Sequence, residues 1–488
     1  MFIKIPSVAH SGLSSIRVDV EINIMNRGLP SFEIVGLPAK AVDESKERVR
    51  AALSNSKIKF PARKIIVNLA PADIPKEGSY YDLPIAVGIL AFVENFNIPQ
   101  NSLFFGELSL DGSLRHTKGA LLLSLFAKDQ GFKKIFLPYQ SANEAAAIKD
   151  VDVYPIKNLS DLISFLLGEK NIEKAKYIKK ETEVFYDFDM NEILGQNLAK
   201  RAAEISAAGN HNLFMIGGPG SGKTMIARAM PGILPLLNEE ESIEVTKIYS
   251  IAGNIPPEGS LISNRPFRAP HHSISLVGLV GGGSRPRPGE ITLAHRGILF
   301  LDELNEFQRS SLESLRQPME DGHITISRGR ERATYPAQHM LIASANPCPC
   351  GYLNHKRKIC LCSEREVEKY RKRVSGPIID RIDMHIEVPD VETSELSIES
   401  KKKAKTESSV EIKKRVENVR EIQRKRFEKE NIFTNSEMRN KHIEKYSCLN
   451  NSAEKLLIKA SSHFSLSARS YYKIIKIART IADMEEKT

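Results

Sequence analysis

Apolar residues recur at two different periods along the first third of the chain. VDVEINI (Val18–Ile24) and KIIVNLAP (Lys64–Pro71) alternate as half-buried strands do. VDESKERVRAALSNS (Val42–Ser56) instead places Val42, Val49, Ala52 and Leu53 on one helical face, and LPIAVGILAFVENF, from Leu83, predicts a second helix. This mixture predicts an α+β domain over residues 1–167. Residues 168–190, GEKNIEKAKYIKKETEVFYDFDM, are charged and weakly patterned, which predicts a linker. From Ile193 to Val388 short apolar runs alternate with helical stretches, so a parallel sheet covered by helices is expected over residues 191–392. Residues 393–488 read as helical. Within Lys401–Glu430, 12 basic and 6 acidic residues surround Ile412, Val416, Val419 and Gln423 at helical spacing. The fold class expected is therefore α/β and multidomain.

Composition adds limits. The 488 residues are enough for two or three domains, and a hydrophobic fraction of 41% with 27% charged is ordinary for a globular chain. No apolar run approaches the roughly 20 residues of a membrane span, and the start lacks the features of a secretion signal. No membrane partner and a cytoplasmic location are expected. Lys plus Arg number 70 against 60 acids, a net charge of +10. That excess suits a polyanion such as nucleic acid, and a plain basic surface gives the same total. Four of the five cysteines fall between Cys348 and Cys362, which argues for a metal rather than a disulfide framework.

The sharpest chemistry lies in FMIGGPGSGKTMIARAM (Phe214–Met230), an apolar strand, a glycine-rich turn and a helix. Gly217, Gly222, Lys223 and Thr224 fit GxxxxGK[ST], so the loop Gly217, Gly218, Pro219, Gly220, Ser221, Gly222, Lys223, Thr224 and Met225 is expected to cradle the phosphates of ATP. Glycine lets the backbone turn tightly and aim N–H groups at phosphate, and the helix N-terminus adds partial positive charge. Lys223 is expected at the β- and γ-phosphates and the Thr224 hydroxyl on Mg²⁺. Further on, GILFLDEL (Gly297–Leu304) is an apolar strand ending in two carboxylates: Asp302 is expected to hold Mg²⁺ and Glu303 to act as general base on water. HMLIASANPC, from His339, is another apolar strand. If it lies between the loop strand and the carboxylate strand, Asn346 comes near the γ-phosphate. SGPIIDRIDMHIEVP (Ser375–Pro389) carries Arg381, read as an arginine finger for a neighbouring subunit's nucleotide. A surface ion pair with Asp380 or Asp383 is the alternative.

NPCPCGYLNHKRKICLC holds Cys348, Cys350, Cys360 and Cys362 as two C-x-C pairs nine residues apart. Four thiolates on a short loop can close a tetrahedral structural Zn²⁺ site, with free thiols or a redox pair as alternatives. His355 lies inside the loop as a possible substitute ligand. HITISRGRERATYPAQ (His323–Gln338) predicts a hairpin with Arg328, Arg330 and Arg332 near its turn, able to grip a phosphate backbone in a ring pore. A solvated turn is the plain reading of the same residues. His271 and His272 are expected to face opposite ways, which excludes a shared metal.

FRAPHHSISLVGLVGGG (Phe267–Gly283), GEITLAHRGILFLDEL, LRQPMEDG, ANPCPCG and LSARSYYKIIKIARTIAD resemble, in this order, the YifB branch of the magnesium-chelatase-like AAA+ ATPases. The resemblance runs the length of the chain. It implies an AAA+ P-loop core with a C-terminal helical lid of the magnesium-chelatase type, with Asn346 as sensor 1, Arg381 as finger and Arg469 as the lid's sensor 2 arginine on its own subunit's ATP. It also implies a homo-hexameric DNA helicase driving branch migration in natural transformation, on single-stranded or branched DNA. A chelatase-type chaperone that remodels a protein partner is the alternative. The N-terminal motifs resemble the Lon-protease-like fold (the ribosomal S5 domain 2-like type). There the serine place falls on Tyr80 and the lysine place on Leu121, with Ser79 and Lys118 off register, so a protease-dead domain is expected.

Overall fold

The computed structural model describes residues 1–488 except 181–185, 284–285, 329–330, 354, 356–357, 391–405, 431 and 488, and omits the side chains of Arg328 and Glu331. The chain divides into two compact units, Met1–Thr182 with Ser242–Ile262, and Glu183–Glu241 with Ser263–Thr488.

In the first unit, strands β1 (Phe2–Ser11), β2 (Ser14–Met25), β3 (Ser31–Val35) and β4 (Lys64–Ala70) form a sheet in the order β1-β2-β4-β3, antiparallel except for β3 against β4. Alternation sends Val18, Val20, Ile22 and Ile24 of β2 into the core. Helix α1 (Ser45–Asn55) buries Val49, Ala52 and Leu53, and helix α2 (Asp82–Val93) is buried on every side over Asp82–Ala91. A helix apolar all round must lie inside. Gly88 permits its close approach to the sheet, since a Cβ there would sit 2.1 Å from Ile22 Cδ1. A second, parallel sheet of β5 (Ser102–Phe104), β6 (Lys134–Pro138) and β7 (Asp152–Ile156) packs with helix α3 (Ala120–Asp129) in a core of its own.

The second unit holds a five-stranded parallel sheet. Helix α4 (Asn197–Gly209) precedes β8 (Leu213–Ile216), and α5 (Lys223–Ala229) follows it. The remaining sheet strands are β9 (Phe267–Arg268), β10 (Ile298–Leu301), β13 (Met340–Ala345) and β14 (Met384–Glu387), in the order β9-β10-β13-β8-β14. Between β10 and β13 a hairpin of β11 (His323–Arg328) and β12 (Glu331–Pro336) stands apart from that sheet. Every residue of β10 and β13 is buried, as expected where helices cover both faces. Helices α6 (Ser409–Arg426), α7 (Asn451–His463) and α8 (Ala468–Met484) complete the unit.

These units differ from the expected division into residues 1–167, 168–190, 191–392 and 393–488. Ser242–Ile262 groups with the first unit, where Ser250 donates to the buried Glu144 and Asn143 Nδ2 donates to Gly259 O at 3.1 Å. The C-terminal helices group with the sheet because Ile412, Val416 and Val419 of α6 enter the same core as Leu213, Met215 and Ile226.

Candidate active site

Residues Gly217–Gly222 make the turn from β8 into α5. Gly220 and Gly222 adopt φ of +80° and +91°, where a side chain is strained, and a Cβ on Gly217 would lie 2.3 Å from Val388 O. Lys223 Nζ folds back to donate to Gly217 O at 2.7 Å and Gly218 O at 2.8 Å. Burial lowers its pKa, and Asp302, Asp390 and Glu303 oppose that effect. An incoming phosphate can take the place of these carbonyls on the ammonium. Pro219, Ser221, Thr224 and Met225 complete the turn and the first helical turn.

Asp302 directly follows β10. Thr224 Oγ1 donates to Asp302 Oδ2 at 2.8 Å, and Ser344 Oγ donates to Asp302 Oδ1. A hydroxyl and a carboxylate in contact beside a phosphate loop form a donor set that fits Mg²⁺, which prefers oxygen ligands and keeps several waters. Ser344 was not found from sequence, although a serine inside the apolar run MLIASA is a readable signal. Glu303 holds a left-handed φ of +54°, uncommon for a residue with a side chain, which turns its half-exposed carboxylate away from the strand. Its Oε2 lies 3.3 Å from His272 Nδ1. β13 lies between β8 and β10, so Asn346, one residue past its end, lines a cleft with Gly217 and Gly218.

His271 and His272 do not face opposite ways. Their rings lie on the same side, tilted by 34° with centroids 4.1 Å apart, because the segment turns instead of running as a strand. No metal group forms there among the described residues.

Arg381 pairs with neither Asp380 nor Asp383. Its Nη2 lies 2.6 Å from Glu320 Oε1, its Nη1 donates to Pro377 O at 2.6 Å, and its side chain is only 9% exposed. Asp383 accepts from Asn212 N at 2.8 Å instead. Arg469 also donates to Glu320 Oε1, and its Nη1 lies 3.7 Å from Asp380 Oδ2. Both arginines line one cleft with Glu320, Lys473 and Lys476, and no residue of the phosphate loop borders it. Arg469, expected on the ATP of its own subunit, thus lies in a cleft apart from that subunit's phosphate loop. Helix α8 is fastened by Ser467 and Ser470 to Asp380, on the Arg381 side of the sheet.

The thiols of Cys348, Cys350, Cys360 and Cys362 lie within 4.8 Å of one another. Three of the Sγ–Sγ separations are 3.4, 3.7 and 3.5 Å. A tetrahedron with Zn–S bonds of about 2.3 Å has edges of roughly 3.8 Å, so the pocket has the size of a Zn²⁺ site. The Tyr352 backbone N–H, helped by the neighbouring thiols, holds Cys350 down at about 6, whereas, against the pull of the Cys362 backbone N–H, burial and the neighbouring thiols raise Cys360 to about 12. His355 does not stand in for a cysteine. Its Nε2 lies 3.2 Å from Asp390 Oδ2, and its Nδ1 accepts from Lys358 N at 2.9 Å.

The hairpin pairs Arg328 with Glu331 and Ser327 with Arg332, which is exposed. Arg330 lies outside the described residues. In the first unit the Tyr80 ring stacks on Phe105 at 4.4 Å, Leu121 is fully buried, and Ser79 Oγ donates to Glu107. Lys118 packs on Gly253.

A parallel sheet of this order, a phosphate loop after one strand and two carboxylates after another define a P-loop ATPase of the AAA+ class. Family models agree. "Magnesium chelatase, subunit ChlI" matches residues 189–396, "Subunit ChlI of Mg-chelatase" residues 20–141, and "Magnesium chelatase, subunit ChlI C-terminal" residues 406–488. Competence protein ComM of Haemophilus influenzae is 42% identical over 98% of this chain and 93% of its own length. YifB of Escherichia coli is 40% identical over 98% of this chain and 94% of its own. Lon protease 2 of Bacillus subtilis is 25% identical over 32% of this chain and 30% of its own. The chain belongs to the ComM/YifB family of magnesium-chelatase-like AAA+ ATPases. No helix among the described residues is long and apolar enough to cross a membrane.

Proposed function

We propose that this chain is a cytoplasmic ATP-hydrolysing motor that works as a homo-hexameric ring on branched or single-stranded DNA, promoting branch migration in recombination and natural transformation. One observation carries the shared-site part of this reading: Arg381 and Arg469 sit together in a cleft that the chain's own phosphate loop does not border. Such arginines serve catalysis only if a neighbouring subunit brings its nucleotide to them. In each site Lys223 and the loop amides bind the ATP phosphates, Asn346 orients water near the γ-phosphate, and Glu303 accepts the proton of the attacking water. Thr224 and Asp302 hold Mg²⁺, which neutralises charge on the phosphates. The four-cysteine loop holds a structural Zn²⁺ in this reading. The N-terminal unit has no Ser–Lys dyad and supports ring assembly or DNA contact rather than proteolysis.

DNA as the partner is supported by the net charge of +10, by the run of arginines Arg328, Arg330 and Arg332 in the sequence, and by the kinship with a competence protein. The test is ATP hydrolysis with and without forked or four-way DNA across a salt series. Stimulation that fades as salt rises, together with movement of the branch point, is expected. No response to any DNA would transfer the case to the second reading, a chelatase-type chaperone acting on a protein, which the magnesium-chelatase family models favour.

A further inference from the structure

Three charged side chains from three separate elements meet at one carboxylate oxygen. Glu320 is the penultimate residue of the short helix Arg316–Asp321, Arg381 lies in the turn before β14, and Arg469 is the second residue of α8. Glu320 Oε1 accepts from Arg469 Nη2 and lies 2.6 Å from Arg381 Nη2. Among the described residues no other carboxylate binds both arginines. Asp380 reaches only Arg469, at 3.7 Å, and Pro377 O takes the remaining end of the Arg381 guanidinium. Arg381 Nε is buried without a hydrogen-bond partner. Lys473 and Lys476 line the same cleft, together with the carboxylates of Asp321, Asp383 and Glu437.

Two guanidinium groups this close repel each other, and each has several rotamers that would relieve the repulsion. A shared carboxylate removes most of that repulsion and fixes both planes. The Arg381 guanidinium, and then that of Arg469, hold the Glu320 carboxyl below its usual range, so it is ionised at neutral pH. We infer that Glu320 is a positioning residue that sets Arg381 and Arg469 side by side as one two-pronged clamp for the terminal phosphate of a neighbouring subunit's ATP. This inference rests on the shared-site reading above. Glu320 does not touch the nucleotide. It acts by presenting two arginines already aligned, so that alignment is not left to the moment of reaction.

The test uses full-length Glu320→Gln, which keeps size and an acceptor oxygen but loses the charge. Misalignment of about 1 Å costs up to about 100-fold, so kcat for ATP is expected to fall about 10- to 100-fold with KM changed less than about twofold. Glu320→Asp, which keeps the charge on a shorter stem, should fall between the two. Mixing Glu320→Gln with Lys223→Ala subunits separates positioning from misfolding. In mixed rings, confirmed by native mass spectrometry, intact phosphate loops meet intact clamps and activity should rise above that of either variant alone. Wild-type or faster turnover in Glu320→Gln overturns the inference, as does a slow variant that mixing does not rescue. If Arg381→Ala itself keeps full activity, the shared-site reading fails. If Arg381→Ala is inactive while Glu320→Gln is normal, only the role of Glu320 fails.

Discussion

At the scale of single residues, two lysine and glutamate positions separate binding from chemistry. Lys223 is already buried and donating to two carbonyls of its own loop, so exchanging them for phosphate oxygens requires little rearrangement. Lys223→Ala is expected to lose nucleotide affinity, read by titration with a fluorescent ATP analogue. Among the described residues no hydrogen bond or ion pair joins Glu303 to Lys223 or Thr224; it projects from a left-handed backbone position next to Asp302, with its carboxylate 3.3 Å from His272 Nδ1. Glu303→Gln should therefore bind ATP normally while phosphate release falls by about 10²- to 10⁴-fold, the range for loss of a general base. Turnover near the wild-type rate in that variant would remove Glu303 from the reaction.

At the scale of elements, two fastenings can be tested without an assay of activity. The first is the cysteine loop, whose first cysteine, Cys348, lies three residues past the end of β13, and which brings Gly351 against Pro219, where an added Cβ would lie 2.8 Å from Pro219 Cδ. About one zinc per chain is expected in reduced, metal-replete protein. Cys360→Ser should lose it and expose the loop to protease, and elemental analysis without zinc would count against the site. The second is the seat of α8, where His211 Nε2 lies 2.8 Å from Thr480 Oγ1. Burial lowers the pKa of His211 to about 3, and it lowers those of His339 and His10 to about 4. In the unfolded chain these groups protonate near pH 6.5, so below that pH the unfolded state binds more protons and stability falls. The loss accrues from pH 6.5 down to about 4 or 3, at about 1.4 kcal/mol per pH unit for each such histidine, and these three histidines add no further change well above pH 7. Urea midpoints measured from pH 7.5 to pH 5 should decline, and the decline should be shallower in His211→Gln if that variant folds.

At the scale of the whole molecule, the question is whether an ATP site exists within one chain. An arginine finger is worth about 10³- to 10⁵-fold in rate, and truncating Arg381 leaves the partly exposed Glu320 still paired with Arg469 rather than as an unpartnered charge. Arg381→Ala should accordingly stay folded and bind ATP yet hydrolyse very slowly. Hydrolysis by the wild type should rise with protein concentration through the range in which rings form, as sedimentation would show. Mixed Arg381→Ala and Lys223→Ala subunits should regain activity. Full activity of Arg381→Ala as a dilute monomer would show that the site needs no neighbour.

Much of this architecture was legible because it depends on neighbours in sequence. The apolar run before Gly217, the glycine turn and the following helix need only local periods and φ preferences, and so does the strand that ends at Asp302. The C-x-C pairs announced a cluster because four soft ligands on one loop have few other uses. Contacts between distant segments were not legible. Nothing near Glu320 in the chain marks it as the meeting point of Arg381 and Arg469, 61 and 149 positions away. Periodicity reports which face of an element is buried, not which element covers it. For the same reason the grouping of Ser242–Ile262 with the first unit, the close approach of the His271 and His272 rings and the turn of His355 toward Asp390 emerged only from the tertiary structure. Local pattern determined the strands, the loops and the kinds of chemistry. Packing of the helices on the parallel sheet decided which charged groups share a cleft, because the free energy of burial is set by surfaces that meet only once the chain has folded.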